Sequence, residues 1–180
     1  MDPSRQISQM NGVEPEVLLT SDSFKEGEYL GMDFVMSGEY GFGCEGSNTS
    51  PHLRWSRAPE GTKSFALTLY DPDAPTGSGF WHWVVANIPA SVHELPLGAG
   101  NPGGALPAGA LQTRTDVGKP GYAGPCPPQG HGVHHYIFTL FAVGQEQLPV
   151  NADSSGAVVG FNLHFATLEK ATLTGLFEKK

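Results

Sequence analysis

The chain has 180 residues and a formal net charge of −8, with no cluster of lysine or arginine, which excludes long-range attraction to nucleic acid or to an anionic bilayer. It contains 24 glycines and 15 prolines, and only 16% of its residues are charged, which indicates many turns and a β-rich fold rather than long helices. No run of about 18 apolar residues predicts a membrane span.

The N-terminal stretch and the two cysteines bear on the compartment. Residues 1–15 are polar and acidic and predict a flexible tail, followed by one domain over residues 16–180. Because the start has no apolar region typical of a signal peptide, we expect a soluble, cytoplasmic chain, with a mature secreted or periplasmic chain as the alternative. Cys44 and Cys126 are then expected as free thiols, and a disulfide is the second interpretation.

Strand patterns dominate the first four-fifths of the sequence. "EVLLTS" and "DFVM", at residues 16–21 and 33–36, predict two short strands. The segments 63–71, 81–88 and 135–143 are rich in β-branched and aromatic residues and predict central strands. Their alternate positions are apolar on both faces, which is typical of a sandwich in which each strand is covered on both sides.

The later part of the chain carries a long loop and one helix. Residues 89–128 are rich in glycine, proline and alanine, and loops of such length in compact domains usually carry function. A stripe at helical spacing then predicts a C-terminal helix that begins at Ser154 or Ser155 and buries Val158, Phe161, Phe165 and Leu168. The final "TLTGLFEKK" predicts a short strand.

The stretch "YDPDAPTGSGFWHW", residues 70–83, sets two carboxylates before a strand histidine. Pro72 and Pro75 end the preceding strand, so Asp71 and Asp73 lie near the rim of the sheet. Alternation along the next strand predicts that Trp81 and Trp83 share one face and that His82 takes the other. Alone, this stretch favours a turn with a solvated aspartate over a site.

A second histidine cluster follows in "GPCPPQGHGVHHY", residues 124–136. On an extended chain His134 and Tyr136 share a face and His135 takes the opposite one. His131, His134 and His135 also suggest zinc, but alternation separates two of them and no cysteine pair has ligand spacing. We therefore favour a ligand pocket over a metal site and expect no cofactor, with His131 in solvent.

The three segments "GCEGSNTSPHLRW", "YDPDAPTGSGFWHWVVANIP" and "GYAGPCPPQGHGVHHYIFTLFAV" together resemble the phosphatidylethanolamine-binding protein family, and within it the bacterial branch described as Raf kinase inhibitor-like. The resemblance covers residue 17 to the end. It implies an antiparallel β-sandwich with a C-terminal helix. It also implies an anion pocket formed by Asp71, Asp73, Ala74, Pro75, His82, Gly124, Cys126, Pro128, His134 and Tyr136.

Two positions depart from the family pattern. His135 stands where an arginine is common, which is expected to weaken an ion pair on that face, and Phe177 replaces a frequent tyrosine, which removes a possible donor.

Two classes of function stay open from sequence, beside a purely structural dimer subunit whose pocket is unused. The first is a binding and regulatory protein for phosphate-bearing groups, such as a phospholipid headgroup or a phosphorylated residue, which by resemblance forms a homodimer and inhibits a kinase or protease. The second is a hydrolase or metal-dependent enzyme that uses Asp71, Asp73 and His82 as acid-base groups. No serine or threonine lies in a recognisable nucleophile motif, and Cys126 is the one thiol that could serve. We favour the binding protein.

Overall fold

The computed structural model describes residues 17–180 and shows two antiparallel sheets and one α-helix near the C-terminus. The predicted tail, residues 1–15, lies outside the described residues. The smaller sheet has the strand order β1-β2-β5, and the larger has the order β6-β4-β3-β7-β8. The strands of the smaller sheet are β1 (Leu18–Thr20), β2 (Leu53–Ser56) and β5 (Glu94–Leu95). Those of the larger are β3 (Ser64–Asp71), β4 (Phe80–Pro89), β6 (Leu111–Gln112), β7 (His134–Val143) and β8 (Thr167–Phe177).

The predicted β-sandwich and its three central strands are confirmed. Strands β4, β3 and β7 are adjacent in the middle of the larger sheet. The main core lies between the sheets, where Trp55 of β2 and Phe65 of β3 pack with ring centroids 5.6 Å apart. The predicted strand at 33–36 is wrong: this segment is a turn, in which the Phe34 N–H donates to the Gly31 carbonyl.

The helix α1 (Gly156–Ala166) covers the outer face of the larger sheet. Its N-cap is Ser155, whose hydroxyl accepts a hydrogen bond from the Val158 N–H, as capping chemistry predicts. The predicted buried face is wrong. The helix buries Gly156, Val159, Leu163 and Ala166, while Val158, Phe161, Phe165 and Leu168 are exposed.

The short distance between α1 and the larger sheet explains which face of the helix is buried. A Cβ atom at Gly156 would lie 2.4 Å from the ring of Trp81, so the first turn can rest on the sheet only where it has no side chain. Gly156 and Ala166 therefore face the sheet at the two ends of the helix, with Val159 and Leu163 between them. The two phenylalanines pack on each other at 5.3 Å on the outer face instead.

This assignment of the helix faces predicts a large loss of stability for one truncation and a small change for another. Leu163→Ala should lower the free energy of unfolding by about 2 to 5 kcal/mol, because it opens a cavity in a buried contact. Phe165→Ala, on a side chain that is 73% exposed, should change it by less than about 0.5 kcal/mol. Urea denaturation of both variants measures the difference, and equal losses would refute the assignment.

A β-bulge at the start of β4 separates the two tryptophans that were predicted to share a face. Tyr70 pairs with Trp81 while Leu69 pairs with Trp83, so His82 is an extra residue in the ladder. Trp81 therefore packs on the helix side, against Tyr70, and Trp83 enters the core between the sheets. The prediction of a shared face is wrong, and the bulge falls at His82, whose ring packs against Tyr136 of β7 at 5.4 Å.

The predicted C-terminal strand is confirmed but is longer than expected. Strand β8 begins directly after the helix and pairs with β7 along its whole length, from Val143 opposite Thr167 to His134 opposite Phe177. The long loop over residues 89–128 contains only the short strands β5 and β6, and its later part runs along β4, where the Ala123 N–H donates to the His82 carbonyl. Among residues 17–180, no helix is long and apolar enough to cross a membrane.

Candidate functional site

A cavity of about 130 Å³ lies at the end of the larger sheet where β3 finishes. Strand β3 runs antiparallel to both of its neighbours. Its last residue, Asp71, therefore lies near the first residues of β4 and β7, which include His82 and His134. The cavity is therefore lined by one carboxylate and two imidazoles inside a mostly apolar wall. The wall consists of Met36, Phe42, Ala74, Pro75, Thr76, Phe80, Cys126, Pro127 and Pro128.

A buried hydrogen bond joins Asp71 to His134. Nδ1 of His134 lies 2.7 Å from Oδ2 of Asp71, and the two side chains are 1% and 3% exposed. A carboxylate accepts hydrogen bonds, so His134 donates its Nδ1–H. The other carboxylate oxygen accepts the Asp73 backbone N–H at 2.8 Å. Asp71 thus fixes the orientation of the His134 ring, and its own charge is already solvated by two donors.

His131 extends this chain of hydrogen bonds toward solvent. Its Nδ1 lies 2.6 Å from Nε2 of His134, and the residue is exposed to solvent, as the sequence predicts, although it is hydrogen-bonded. Its loop turns at Gly130 and Gly132, whose φ angles of +75° and +94° are ones that glycine adopts without strain. Asp71, His134 and His131 therefore form one relay from the buried base of the cavity to its exposed edge.

His82 is the second imidazole of the cavity and is fixed from behind. Its Nδ1 lies 2.8 Å from the carbonyl oxygen of Ala123, in the long loop. Its ring packs against Phe80 at 4.8 Å and against Tyr136 at 5.4 Å. Burial lowers the pKa of His82, an effect that outweighs the opposing hydrogen bond and the negative charge of Asp71. The ring is therefore neutral near pH 7.

Tyr136 lies behind the two imidazoles rather than in the cavity lining. It shares a face with His134, as alternation predicts, and is buried. Burial raises the pKa of Tyr136, and the negative charge of Asp71 raises it further. Its hydroxyl is thus neutral near pH 7.

Asp73 points away from the cavity and pairs with His135. Its Oδ2 accepts from both the backbone N–H and Nδ1 of His135, each at 2.7 Å, on side chains 37% and 53% exposed. Partial burial works to raise the pKa of Asp73, but these hydrogen bonds and the charge of His135 lower it on balance. The face expected to lose an ion pair therefore retains a hydrogen-bonded pair, in which His135 is the partner of Asp73.

Gly124 also lies outside the cavity. Its N–H donates to Oδ1 of Asn48 at 2.7 Å, and a Cβ atom here would lie 2.1 Å from the Phe34 carbonyl oxygen. Glycine at this position lets the long loop pack directly on the segment that carries Met36.

Cys126 lines the cavity as half of a disulfide with Cys44. The expectation of free thiols is wrong, and no free cysteine occurs in the described chain. A disulfide sulfur has no thiolate, so Cys126 is not available as a nucleophile in this form. The bond ties the loop of Phe42 to the loop of Pro127 and Pro128, which are two walls of the cavity.

Four predicted positions, Ala74, Pro75, Cys126 and Pro128, lie in the wall, and several wall residues were missed. Phe80 lies within residues 70–83 and Pro127 within residues 124–136, so their positions in these two motifs could have indicated them. The sequence gives no signal for Met36 and Phe42, because the disulfide and the packing of Gly124 bring their segment to the cavity.

Residues 17–180 contain no group of three or more His, Cys, Asp or Glu side chains that could hold a metal ion. His131 and His134 come together, but His135 lies on the other face of β7, as alternation requires.

Comparisons with known proteins agree with this architecture. The family model described as phosphatidylethanolamine-binding protein matches residues 20–178. The UPF0098 protein YbcL of Escherichia coli (strain K12) is 53% identical over 163 residues, which cover 90% of this chain and 87% of YbcL. YbhB of the same strain is 51% identical over 159 residues, covering 88% of this chain and 98% of YbhB. The crystal structure of E. coli YbcL superposes with a TM-score of 0.88 and covers 92% of this chain and 100% of that one. The chain therefore belongs to the phosphatidylethanolamine-binding protein family.

Proposed function

We propose that this chain is a binding protein whose cavity takes a small phosphate-bearing group, from a phospholipid headgroup or a phosphorylated side chain. The observation that carries the proposal is the relay of Asp71, His134 and His131, set beside His82 in an apolar wall. A cavity of about 130 Å³ has room for a phosphate group.

Local hydrogen bonds must supply the affinity for an anion, because the overall charge opposes it. The chain carries a net charge of −8, and no lysine or arginine of residues 17–180 lines the cavity. Both oxygens of Asp71 already accept a hydrogen bond, which reduces its repulsion of a bound anion. An imidazole binds an anion more strongly when it is protonated, so affinity should fall as pH rises from 5.5 to 8.5.

Binding is favoured over catalysis by what surrounds the imidazoles. The nearest wall hydroxyl, that of Thr76, donates to the Gly79 carbonyl instead of to a histidine. The cysteine of the wall is bonded to Cys44. No described hydroxyl or thiol is therefore hydrogen-bonded to His82 or His134 as an activated nucleophile would be.

The disulfide supports an oxidising compartment for this protein. Disulfides persist in secreted and periplasmic proteins and are rare in the reducing cytosol. We therefore place the chain outside the cytoplasm, against the expectation from the sequence. Inhibition of a kinase or protease, and a homodimer, stay predictions of the family resemblance.

A steric variant tests the proposed cavity without removing a hydrogen bond. Ala74→Leu adds three carbons to the wall and should weaken phosphoethanolamine binding by at least about tenfold, or 1.4 kcal/mol. Calorimetry at pH 6 measures this, and Ala157→Leu on the exposed side of α1 is the matched control. Binding that survives Ala74→Leu, or saturable binding of zinc alone, would contradict the proposal.

A further inference from the structure

The two cysteines of the disulfide border different pockets. Cys126 lines the cavity at the end of the larger sheet, whereas Cys44 borders a surface pocket that includes Met32 and Phe177. Among residues 17–180, none lines both pockets. A reagent in solution can therefore approach the disulfide along two separate routes, one for each cysteine.

The route through the cavity leads to the more accessible cysteine. Cys126 is partly buried, and its Sγ lies 3.4 Å from the carbonyl oxygen of Phe42, a residue of the cavity wall. Cys44 is only 6% exposed and packs in a buried cluster with Val35 and Ala123. A small molecule that enters the cavity thus meets Cys126, while the cluster shields Cys44 from the other pocket.

A disulfide sulfur is an electrophile toward a thiolate. The incoming thiolate forms a bond to one sulfur, the bond between the two original sulfurs breaks, and its electron pair leaves on the second sulfur. Attack on Cys126 would therefore produce a mixed disulfide on Cys126 and a thiolate on Cys44. The step needs only the thiol itself, and no further oxidant or reductant.

The surroundings of Cys44 accept the negative charge of a departing thiolate. Two lysines and two glutamates border its pocket: Lys179, Lys180, Glu45 and Glu178. Nζ of Lys179 donates to the carbonyl oxygen of Gly43, the residue before Cys44, at 2.7 Å. Because a nearby lysine stabilises a thiolate and the two signs balance around the pocket, Cys44 can serve as the leaving sulfur.

We propose that the disulfide is a thiol-exchange site entered through the cavity, at which Cys126 takes up a small aliphatic thiol and Cys44 leaves. The inference rests on the proposed function in one respect, since a phosphate group in the cavity would cover Cys126. A thiol bonded to Cys126 would in turn fill the space of the phosphate group. Phosphate ligand and thiol therefore exclude each other.

The position of the first adduct tests the direction of attack. The unmodified protein is exposed briefly to mercaptoethanol, the reaction is stopped with N-ethylmaleimide, and mass spectrometry of the peptides locates both groups. We expect mercaptoethanol on Cys126 and maleimide on Cys44. An adduct carried mainly by Cys44 would overturn the inference, because attack would then come from the other pocket.

Protection by ligand tests whether thiol and phosphate share the cavity. At about ten times its dissociation constant, phosphoethanolamine occupies about nine-tenths of the cavities and should slow adduct formation by about tenfold. Ethanolamine at the same concentration should give no protection. Without ligand, the narrowed cavity of Ala74→Leu should slow the reaction by at least about threefold, whereas Ala157→Leu should not change it.

The contrary outcomes separate this inference from the proposed function. If phosphoethanolamine binds in calorimetry but does not slow the adduct, the shared cavity is wrong and the phosphate site stands. If Ala74→Leu reacts as fast as the unmodified protein, entry through the cavity is wrong. If phosphoethanolamine does not bind at all, the proposed function fails, and the adduct position together with the rate of Ala74→Leu still decides the exchange site.

Discussion

Replacing Asp71 with alanine is expected to lower the free energy of unfolding by about 3 to 5 kcal/mol, the largest effect of any single carboxylate in the site. The change leaves the buried imidazole of His134 and the Asp73 N–H without their shared acceptor. When one partner of a buried hydrogen bond is removed, the group that remains is buried without a partner, and its full desolvation penalty lowers the stability of the fold. Denaturation by urea at pH 7 measures the loss.

Asp73→Ala is the matched control, because it removes a carboxylate two residues away that also pairs with a histidine. The Asp73 and His135 side chains are 37% and 53% exposed, and exposed pairs contribute roughly 0 to 1 kcal/mol. If the two variants lose similar stability, burial does not distinguish the pairs and Asp71 is not the structural centre of the site.

Loss of the disulfide should cost about 4 kcal/mol of stability, because it closes a loop with a sequence separation of 82 residues. It should also weaken ligand binding, since it ties the walls of Phe42 and Pro127 together. Thiol reductant should therefore lower both the urea midpoint and the affinity for phosphoethanolamine.

The double variant Cys44→Ala/Cys126→Ala provides the control for the reductant. It should match the reduced natural chain in stability and should not respond to reductant further. An unchanged midpoint on reduction of the natural chain would show that the loops hold together without the bond.

Sequence patterns predicted the parts of the fold that depend on local alternation. The central strands have apolar residues on both faces, and His134 and Tyr136 share a face as period-two spacing requires. Alternation failed at Trp81 because the bulge at His82 inserts a residue, and no local pattern marks a bulge.

The buried face of α1 could not be predicted for a different reason. The helix is apolar nearly all round, so two stripes compete, and the stripe of large residues looked like the core. The structure buries the stripe with Gly156 and Ala166 because the helix lies too close to the sheet for phenylalanine. Which face is buried depends on the distance between the helix and the sheet, and this distance is set by tertiary packing.

The candidate site combines motif residues with partners that only the fold supplies. Asp71, His82 and His134 come from the two motifs, and the antiparallel order of β4, β3 and β7 brings them together. The contact of His131 with His134, the Ala123 carbonyl behind His82 and the disulfide depend on loops whose paths no sequence pattern determines.

Nitrogen-15 spectra of the histidine rings, recorded with and without phosphoethanolamine at pH 6, test the binding site most directly. Residues 17–180 include histidines inside and outside the cavity, whose ring nitrogens report on ligand binding. We predict saturable shifts for His82 and His134, with the relay partner His131 following, and no shift for His52 or His164, which lie outside the cavity lining. Unchanged rings at His82 and His134, or shifts confined to His52 or His164, would contradict the proposed site.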